Sequence, residues 1–132
     1  MKILILDGYN VIHKIGYLSG IADRSLREAR NEVTRLANDY KRRIGGISEV
    51  YVIFDGQSRF QDTDIPRPKE HIFSATGMGD RKIVDTIRKF SSRGKLMVVS
   101  DDNYVRNSAR AYKAGLLRPT DLVRRKRKRG FI

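Results

Sequence analysis

The chain has 132 residues, and its 28 Lys and Arg against 15 Asp and Glu give a formal net charge of +13. It contains no cysteine, which excludes disulfides, thiolate metal sites and cysteine nucleophiles. No stretch approaches the roughly 20 apolar residues that cross a bilayer, and Met1 leads into an apolar run without a signal-peptide cleavage pattern, so we expect one soluble, cytoplasmic domain without a membrane partner.

The first half of the chain predicts two buried strands that flank a long helix. The run "KILIL" ends at Asp7 and the run "EVYVIF" ends at Asp55, and both are rich in β-branched or aromatic residues. Between them, from Ser25 to Ile44, apolar residues recur at three-to-four spacing, and a glycine pair then supplies a stop. The polar, proline-broken segment 56–70 predicts a surface loop beside the end of the second strand.

The second half predicts two more strands, two helices and an ambiguous end. The short run "HIFS" precedes a glycine-rich turn and a helix over about 80–91, and the run "KLMVVS" ends just before Asp101. The run "LLRPTDLV" after Gly115 fits either a last short strand or a turn followed by a helix. A third helix is predicted over about 103–114, and its inward residues are Val105, Ala109 and Tyr112.

Strands that alternate with helices predict an α/β fold with a mainly parallel sheet of four or five strands, covered by helices on both faces. Ligands bind such sheets at the carboxyl ends of the strands. Asp7, Asp55 and Asp101 each follow a predicted strand directly, so three carboxylates gather at this edge, although aspartate there also forms turns and caps helices. Asp80 either caps the second helix or lies on its sheet-facing side, where a carboxylate needs a cation or a donor.

Converging carboxylates indicate a hard-cation site, because Mg²⁺ and Mn²⁺ prefer oxygen ligands. In a basic protein, such a site suits phosphodiester hydrolysis, in which the metal activates water while arginines offset the phosphate charge. Other chemistries lack their motifs. There is no P-loop and no dinucleotide fingerprint, Tyr9 stands where a phosphoaspartyl phosphatase needs a second acid, and His13 and His71 do not suit a Ser-His-Asp triad, so we assign no catalytic histidine.

Four motifs in the chain resemble the YacP-like NYN domains, which belong to the PIN-like ribonuclease superfamily. They are "LILDGYNVI", "VIFDG", "IFSATGMGDRKIVDTI" and "MVVSDDNYVRNSA", and the resemblance covers residues 2 to about 115. It implies a three-layer α/β/α, Rossmann-like fold, a divalent metal such as Mg²⁺ or Mn²⁺ at the carboxyl ends of the strands, and endoribonuclease activity. We therefore divide the chain into a nuclease domain, residues 1–123, and a basic C-terminal tail, residues 124–132.

The resemblance also implies roles for individual residues. Asn10 would orient a ligand or the scissile phosphate. Asp55 and Asp102 are supporting members of the metal site, although Asp102 fits a cap of the third helix equally well. Tyr9 is interpreted as a packing residue rather than a catalytic one. The metal-binding and catalytic carboxylates that match the family motifs are Asp7, Asp80 and Asp101.

The positive charge predicts RNA as the partner. Without the run "RRKRKR" the chain still carries 13 − 6 = +7, and a basic domain gains free energy by releasing counterions from phosphates. A surface charged only for solubility or heat resistance is the alternative. The tail would add sequence-independent affinity, including for ribosomal or other structured RNA. The predicted backbone contacts are Arg59, Arg67, Lys69, Arg81, Lys82, Arg106, Arg124, Arg125, Lys126, Arg127, Lys128 and Arg129.

Two other functions stay open at this point. One is an RNA-binding module whose acidic site is vestigial or regulatory. The other is a DNA flap-type nuclease on a related fold, which is less favoured because the chain lacks room for additional DNA-gripping helices. RNA cleavage with Mn²⁺ that EDTA stops would separate the first from an enzyme, and competition between RNA and DNA would separate the second.

Overall fold

The structure is a computed structural model and describes residues 1–55, 71–73 and 79–123. Within these residues, five strands form one parallel sheet, which confirms the predicted α/β fold. In chain order they are β1 (Lys2–Asp7), β2 (Glu49–Phe54), β3 (His71–Phe73), β4 (Lys95–Val99) and β5 (Gly115–Leu117). Their order in the sheet is β3-β2-β1-β4-β5, so β1 is central and its carboxyl end lies between those of β2 and β4.

In the described part of the chain, five α-helices cover the two faces of the sheet. They are α1 (Gly8–Lys14), α2 (Gly16–Arg24), α3 (Leu26–Ile44), α4 (Gly79–Phe90) and α5 (Asn103–Ala111). Successive side chains of β1 point to opposite faces of the sheet, so they contribute to a separate hydrophobic core on each face. Leu4 and Leu6 join the core formed with α1, α2 and α3, whereas Ile3 and Ile5 join the core formed with α4 and α5. All four side chains are fully buried, as predicted for a strand without polar partners.

The long helix α3 forms where the apolar spacing predicts it. Ser25 caps its first turn by accepting a hydrogen bond from the backbone N–H of Glu28 at 3.2 Å, and Gly45 ends it with a φ of 78°, a conformation that glycine adopts without strain. The two apolar residues at its ends, Leu26 and Ile44, are exposed rather than packed on the sheet.

The helix after β4 is shorter than predicted. Lys113 adopts a φ of 62°, which is incompatible with a continuing right-handed helix, and α5 ends at Ala111. Val105 and Ala109 are fully buried as predicted, but the expectation that Tyr112 faces inward is wrong, because 38% of its surface is exposed.

Two helices directly after β1 were not predicted from the sequence. α1 and α2 are short, and each begins at a glycine, so neither presents a long apolar stripe to the sheet. The first glycine is required by packing. A Cβ on Gly8 would lie 2.9 Å from the Ile53 carbonyl oxygen and would collide with the Phe54 ring. Gly8 therefore lets α1 start directly against the end of β2.

The end of the described chain contains both elements that the sequence left open. β5 pairs with β4, and a 3-10 helix follows over Pro119–Leu122. Arg43, near the end of α3, donates a hydrogen bond at 3.1 Å to the Leu122 carbonyl oxygen, which ties this segment to the helical layer. Among the described residues, no helix combines the length and the apolarity that a bilayer crossing requires.

Candidate functional site

A cavity of about 400 Å³ lies at the carboxyl edge of the sheet. Four carboxylates from four different segments reach it: the end of β1, the residue after β2, the first turn of α4, and the turn between β4 and α5. Three residues of α1 and one of β2 complete the wall. The residues that line the cavity are Asp7, Tyr9, Asn10, His13, Ile53, Asp55, Asp80 and Asp102.

Asp7 is held at the end of β1 by the turn that follows β4. The hydroxyl of Ser100, which is completely buried, donates a hydrogen bond to Asp7 Oδ2 at 2.9 Å. The same hydroxyl oxygen accepts a hydrogen bond at 3.0 Å from the backbone N–H of Asp102. Because one hydroxyl serves both residues, the carboxylate of Asp7 and the backbone that carries Asp102 keep a defined relative position.

The environment of Asp7 raises its pKa from 3.8 to about 6. Burial is the main cause, since it disfavours the charged form. The hydrogen bond from Ser100 opposes this rise, whereas the negative charges of Asp80, Asp102 and Asp55 add to it. A partly buried acid with several acidic neighbours and a shifted pKa is typical of a functional cleft, because a structure selected only for stability avoids that arrangement.

The carboxylates interact electrically but do not converge on one point. The pKa of Asp80 is also raised, first by burial and then by the charges of Asp102 and Asp55. In the part of the chain that the structure describes, no three acidic or histidine side chains approach closely enough to chelate one metal ion together. The donor set is nevertheless all oxygen apart from one imidazole, which is the chemistry that Mg²⁺ and Mn²⁺ select.

The two neighbouring acids after β4 separate in the structure. The Asp101 carboxylate accepts a hydrogen bond from the Arg118 guanidinium at 2.8 Å in an ion pair and does not line the cavity. Asp102 lines the cavity and also caps α5, since its Oδ1 accepts a hydrogen bond from the Val105 N–H at 3.0 Å. Asp102 therefore has the helix-capping role considered from the sequence, and Asp102, rather than Asp101, joins Asp7 at the cavity.

One wall of the cavity is formed by α1. Asn10 Oδ1 accepts a hydrogen bond from the Asp101 backbone N–H at 2.8 Å, which leaves the amide NH₂ group as a donor. His13 lies three residues further on, on the same side of the helix. Tyr9 also lines the cavity, and its ring packs on Phe54 with ring centroids 5.0 Å apart, in line with the packing role expected from the sequence.

The predicted RNA-contacting residues have different environments. Arg81 and Lys82 are exposed in the first turn of α4, next to Asp80. Arg106 is half-buried, and its guanidinium donates hydrogen bonds to the carbonyl oxygens of Ser100 at 2.9 Å and Leu117 at 3.3 Å, an arrangement that favours support of the Asp101–Asp102 turn over RNA contact. The other predicted contacts lie outside the described residues: Arg59, Arg67, Lys69, Arg124, Arg125, Lys126, Arg127, Lys128 and Arg129.

Two residues of this site were missed by the sequence analysis. Ser100 was taken only as the last residue of a strand, yet its hydroxyl connects Asp7 to the Asp102 turn. His13 was assigned no catalytic role, yet it lines the cavity. The spacing of Asn10 and His13, three residues apart after a strand, would have indicated a shared face had α1 been predicted.

Comparisons with known proteins agree on the fold. Residues 4–129 match the family model of the YacP-like NYN domain. The chain is similar to the crystal structure of a mutant of Rae1 (YacP) from Bacillus subtilis, with a TM-score of 0.70 and 22% sequence identity, and the match covers 92% of this chain and 72% of that chain. None of the curated proteins matches the sequence. The structural likeness supports the three-layer α/β/α architecture, and the family match includes most of the chain.

Proposed function

The chain belongs to the YacP-like NYN domain family, and on this premise we propose that it is a divalent-metal-dependent endoribonuclease that acts at the acidic cavity. The observation that carries the proposal is the cavity itself, where four carboxylates gather at the carboxyl edge of a parallel sheet in a chain whose net charge is +13. An acidic pocket in a strongly basic protein suits a polyanionic substrate that is bound by the surface and cleaved at the pocket.

The donors of the cavity fit Mg²⁺ or Mn²⁺. Asp7, Asp80 and Asp102 form no ion pair with a lysine or arginine among the described residues, so their mutual repulsion is relieved best by a cation. Mg²⁺ commonly keeps several waters and uses one or two carboxylates, which suits acids that do not chelate one point. The chemistry that such an ion supplies is charge stabilisation at the phosphate and a lower pKa for the attacking water.

We assign Asp7, Asp80 and Asp102 as the principal metal-holding residues, with Asp55 as a supporting member. The Ser100 hydroxyl fixes one oxygen of Asp7, and the Val105 N–H fixes one oxygen of Asp102. Asp101 was a metal ligand in the motif-based prediction, and that assignment stays untested. Its ion pair with Arg118 favours a role in holding the end of the sheet together.

The side chains of α1 are proposed to position the RNA. Asn10 directs its NH₂ group to a phosphate oxygen while its carbonyl oxygen holds the Asp101 N–H. Of the described residues that line the cavity, His13 is the one that can carry positive charge, and its ring N–H donates to the phosphate or to the leaving oxygen. Both donors offset charge that develops on the substrate, which is the contribution expected of groups fixed before the reaction.

A second candidate function is an RNA-binding module without catalysis. The observation in its favour is that no three candidate ligands among the described residues are near enough to chelate one ion. In an RNA-binding module, the basic surface would bind RNA and the acidic cavity would be vestigial or regulatory. The enzyme is preferred because the raised pKa of Asp7 means that the fold tolerates an unfavourable acid at a cleft, a cost without benefit in a binding module.

One assay separates these functions. The purified 132-residue chain is incubated with labelled RNA in the presence of Mn²⁺, Mg²⁺ or EDTA, and the products are resolved by size. If the chain is an endoribonuclease, we expect internal cleavage with metal, no cleavage with EDTA and no cleavage by the Asp7→Asn variant. We also expect RNA to be cleaved in preference to DNA of the same sequence. Intact RNA under every condition, with tight binding retained, would establish the binding module instead.

A further inference from the structure

We propose that the exposed face of α5 is a binding surface for unpaired RNA bases, with Tyr104 as its main stacking residue and Tyr112 as a second one. This inference rests on the proposed function, because it concerns the path of the same substrate outside the cavity. It adds a surface that neither the family motifs nor the acidic cavity specifies.

The first observation is the exposure of the two tyrosines. Tyr104 is 55% exposed and Tyr112 is 38% exposed, which makes them two of the few large apolar side chains at the surface. Neither hydroxyl has a hydrogen-bond partner among the described residues. Exposed aromatic rings of this kind offer flat faces on which nucleic-acid bases can stack.

The second observation is the arrangement along the helix. Tyr104 and Ser108 lie on α5 and Tyr112 is its C-cap residue, and their intervals of four residues place them in one row that runs along the helix to its end. At a rise of about 1.5 Å per residue, the two tyrosines are about 12 Å apart along the axis. The small Ser108 between them leaves space at each ring, where a flat base can lie against it.

The third observation is continuity with the cavity. Asp102 lines the cavity and caps α5, and Tyr104 follows two residues later, within the first turn of the same helix. Tyr104 therefore lies at the end of α5 that borders the cavity, where a nucleotide chain that extends from the cavity can meet it. The other exposed tyrosine with a similar accessible fraction, Tyr17 at 46%, lies on α2 in the opposite helical layer and donates its hydroxyl to Glu32 at 2.9 Å.

Charge identifies the occupant as nucleic acid rather than a second protein chain. Residues 103–113 contain no acidic residue, and Arg110 and Lys113 are exposed. Arg110 is exposed and donates a hydrogen bond at 2.7 Å to the neutral side chain of Asn107, so its charge is not compensated there. Aromatic rings beside basic groups are the combination that binds single-stranded nucleic acid, where bases stack and phosphates meet the cations.

The test measures binding of a short fluorescein-labelled single-stranded RNA by anisotropy, with EDTA present so that the RNA stays intact. The salt concentration is raised until nonspecific attraction to the basic chain is weak. We expect Tyr104→Ala to weaken binding by about fivefold or more, which is the low end for loss of one base–aromatic stack. Tyr104→Phe keeps the ring and should bind as the unmodified chain does, and Tyr17→Ala serves as the control on the opposite face.

A duplex RNA of the same length is the second probe. Its bases are already stacked, so Tyr104→Ala should leave duplex binding unchanged within about twofold. Equal losses for both RNAs, or a Tyr104→Phe variant as weak as Tyr104→Ala, would overturn the stacking surface. A chain that sediments as a dimer and becomes a monomer on Tyr104→Ala would overturn it in favour of a protein interface.

The outcome is separable from that of the proposed function. The binding measurement needs no cleavage. If the unmodified chain never cuts RNA but Tyr104→Ala weakens binding of single-stranded RNA, the result would support the stacking surface and refute the endoribonuclease. Cleavage by the unmodified chain, together with unchanged binding by Tyr104→Ala and Tyr112→Ala, would support the enzyme and refute the surface.

Discussion

Replacing Asp7 with asparagine should stabilise the fold while it abolishes cleavage. Burial and neighbouring acids raise the pKa of Asp7 from 3.8 to about 6, and each pKa unit corresponds to about 1.4 kcal/mol, so the ionised side chain costs about 3 kcal/mol of folding free energy at neutral pH. Asparagine carries no charge and retains an oxygen that can accept the hydrogen bond from the Ser100 hydroxyl. We therefore expect a gain of up to about 3 kcal/mol at pH 8.

The stability gained by Asp7→Asn increases with pH. Below pH 3.8 the carboxyl is protonated in both states and Asp7 costs nothing. As the pH rises from 3.8 to about 6, the unfolded chain loses the proton first, so the stability of the unmodified protein falls relative to that of Asp7→Asn. Above pH 6 the difference is complete.

Urea unfolding in EDTA at pH 4 and pH 8 measures this difference. The matched control is Asp85→Asn, since Asp85 is a surface acid of α4 with a single ion pair to Arg88 and its loss should change stability by less than about 0.5 kcal/mol. Two results would contradict a folding cost from ionised Asp7. One is an Asp7→Asn variant that is less stable than the unmodified chain at pH 8, and the other is a gain in stability of the same size at pH 4 and pH 8. Added Mn²⁺ should narrow the gap by stabilising the unmodified chain alone.

Three further predictions address individual side chains. Asp102→Asn should lower RNA cleavage by about 100-fold or more, whereas Asp101→Asn, whose carboxylate is paired outside the cavity, should lower it by less than about tenfold; the reverse order would restore the motif-based assignment. Ser100→Ala removes a hydrogen bond that lowers the pKa of the carboxylate at the end of β1, so the acidic limb of the kcat/KM profile should move to higher pH, and an unmoved limb would dissociate that carboxylate from catalysis. His13→Ala should lower kcat by about tenfold to 100-fold with little change in KM, whereas Lys14→Ala, which alters the next exposed residue of α1, should leave kcat unchanged; equal effects of the two variants would exclude a specific role for the imidazole.

The sheet was predictable because its signals are local. Each of the three strands with a following aspartate is an unbroken apolar run, and the long helix has both a stripe and a glycine stop. Parallel pairing then followed from the alternation of strands with helices. α1 and α2 escaped prediction because they are short and because their glycines depart from the usual composition of a helix. Gly8 is present for its close approach to Phe54 and Ile53, a tertiary requirement that no local pattern contains.

The candidate site was predictable as an edge but not in its details. Of the three aspartates predicted at strand ends, Asp7 and Asp55 line the cavity, together with Asp80 from the first turn of α4, whereas Asp101 does not. The choice between Asp101 and Asp102 depends on how the turn after β4 is folded, which in turn depends on the buried Ser100 hydroxyl and on the cap of α5. It also depends on two contacts between residues distant in sequence, the Arg118–Asp101 ion pair and the hydrogen bond from the Asp101 N–H to Asn10, so neighbouring acids that look equivalent in the chain take different directions in the fold.

The most direct measurement is the anomalous diffraction of a crystal soaked with Mn²⁺. If the metal ion binds at the acidic cavity, we expect an anomalous peak next to the Asp7 carboxylate and within reach of Asp80 and Asp102. We expect no such peak in crystals of Asp7→Asn. A manganese ion bound elsewhere, with the cavity unoccupied in a chain that still cleaves RNA, would contradict the account.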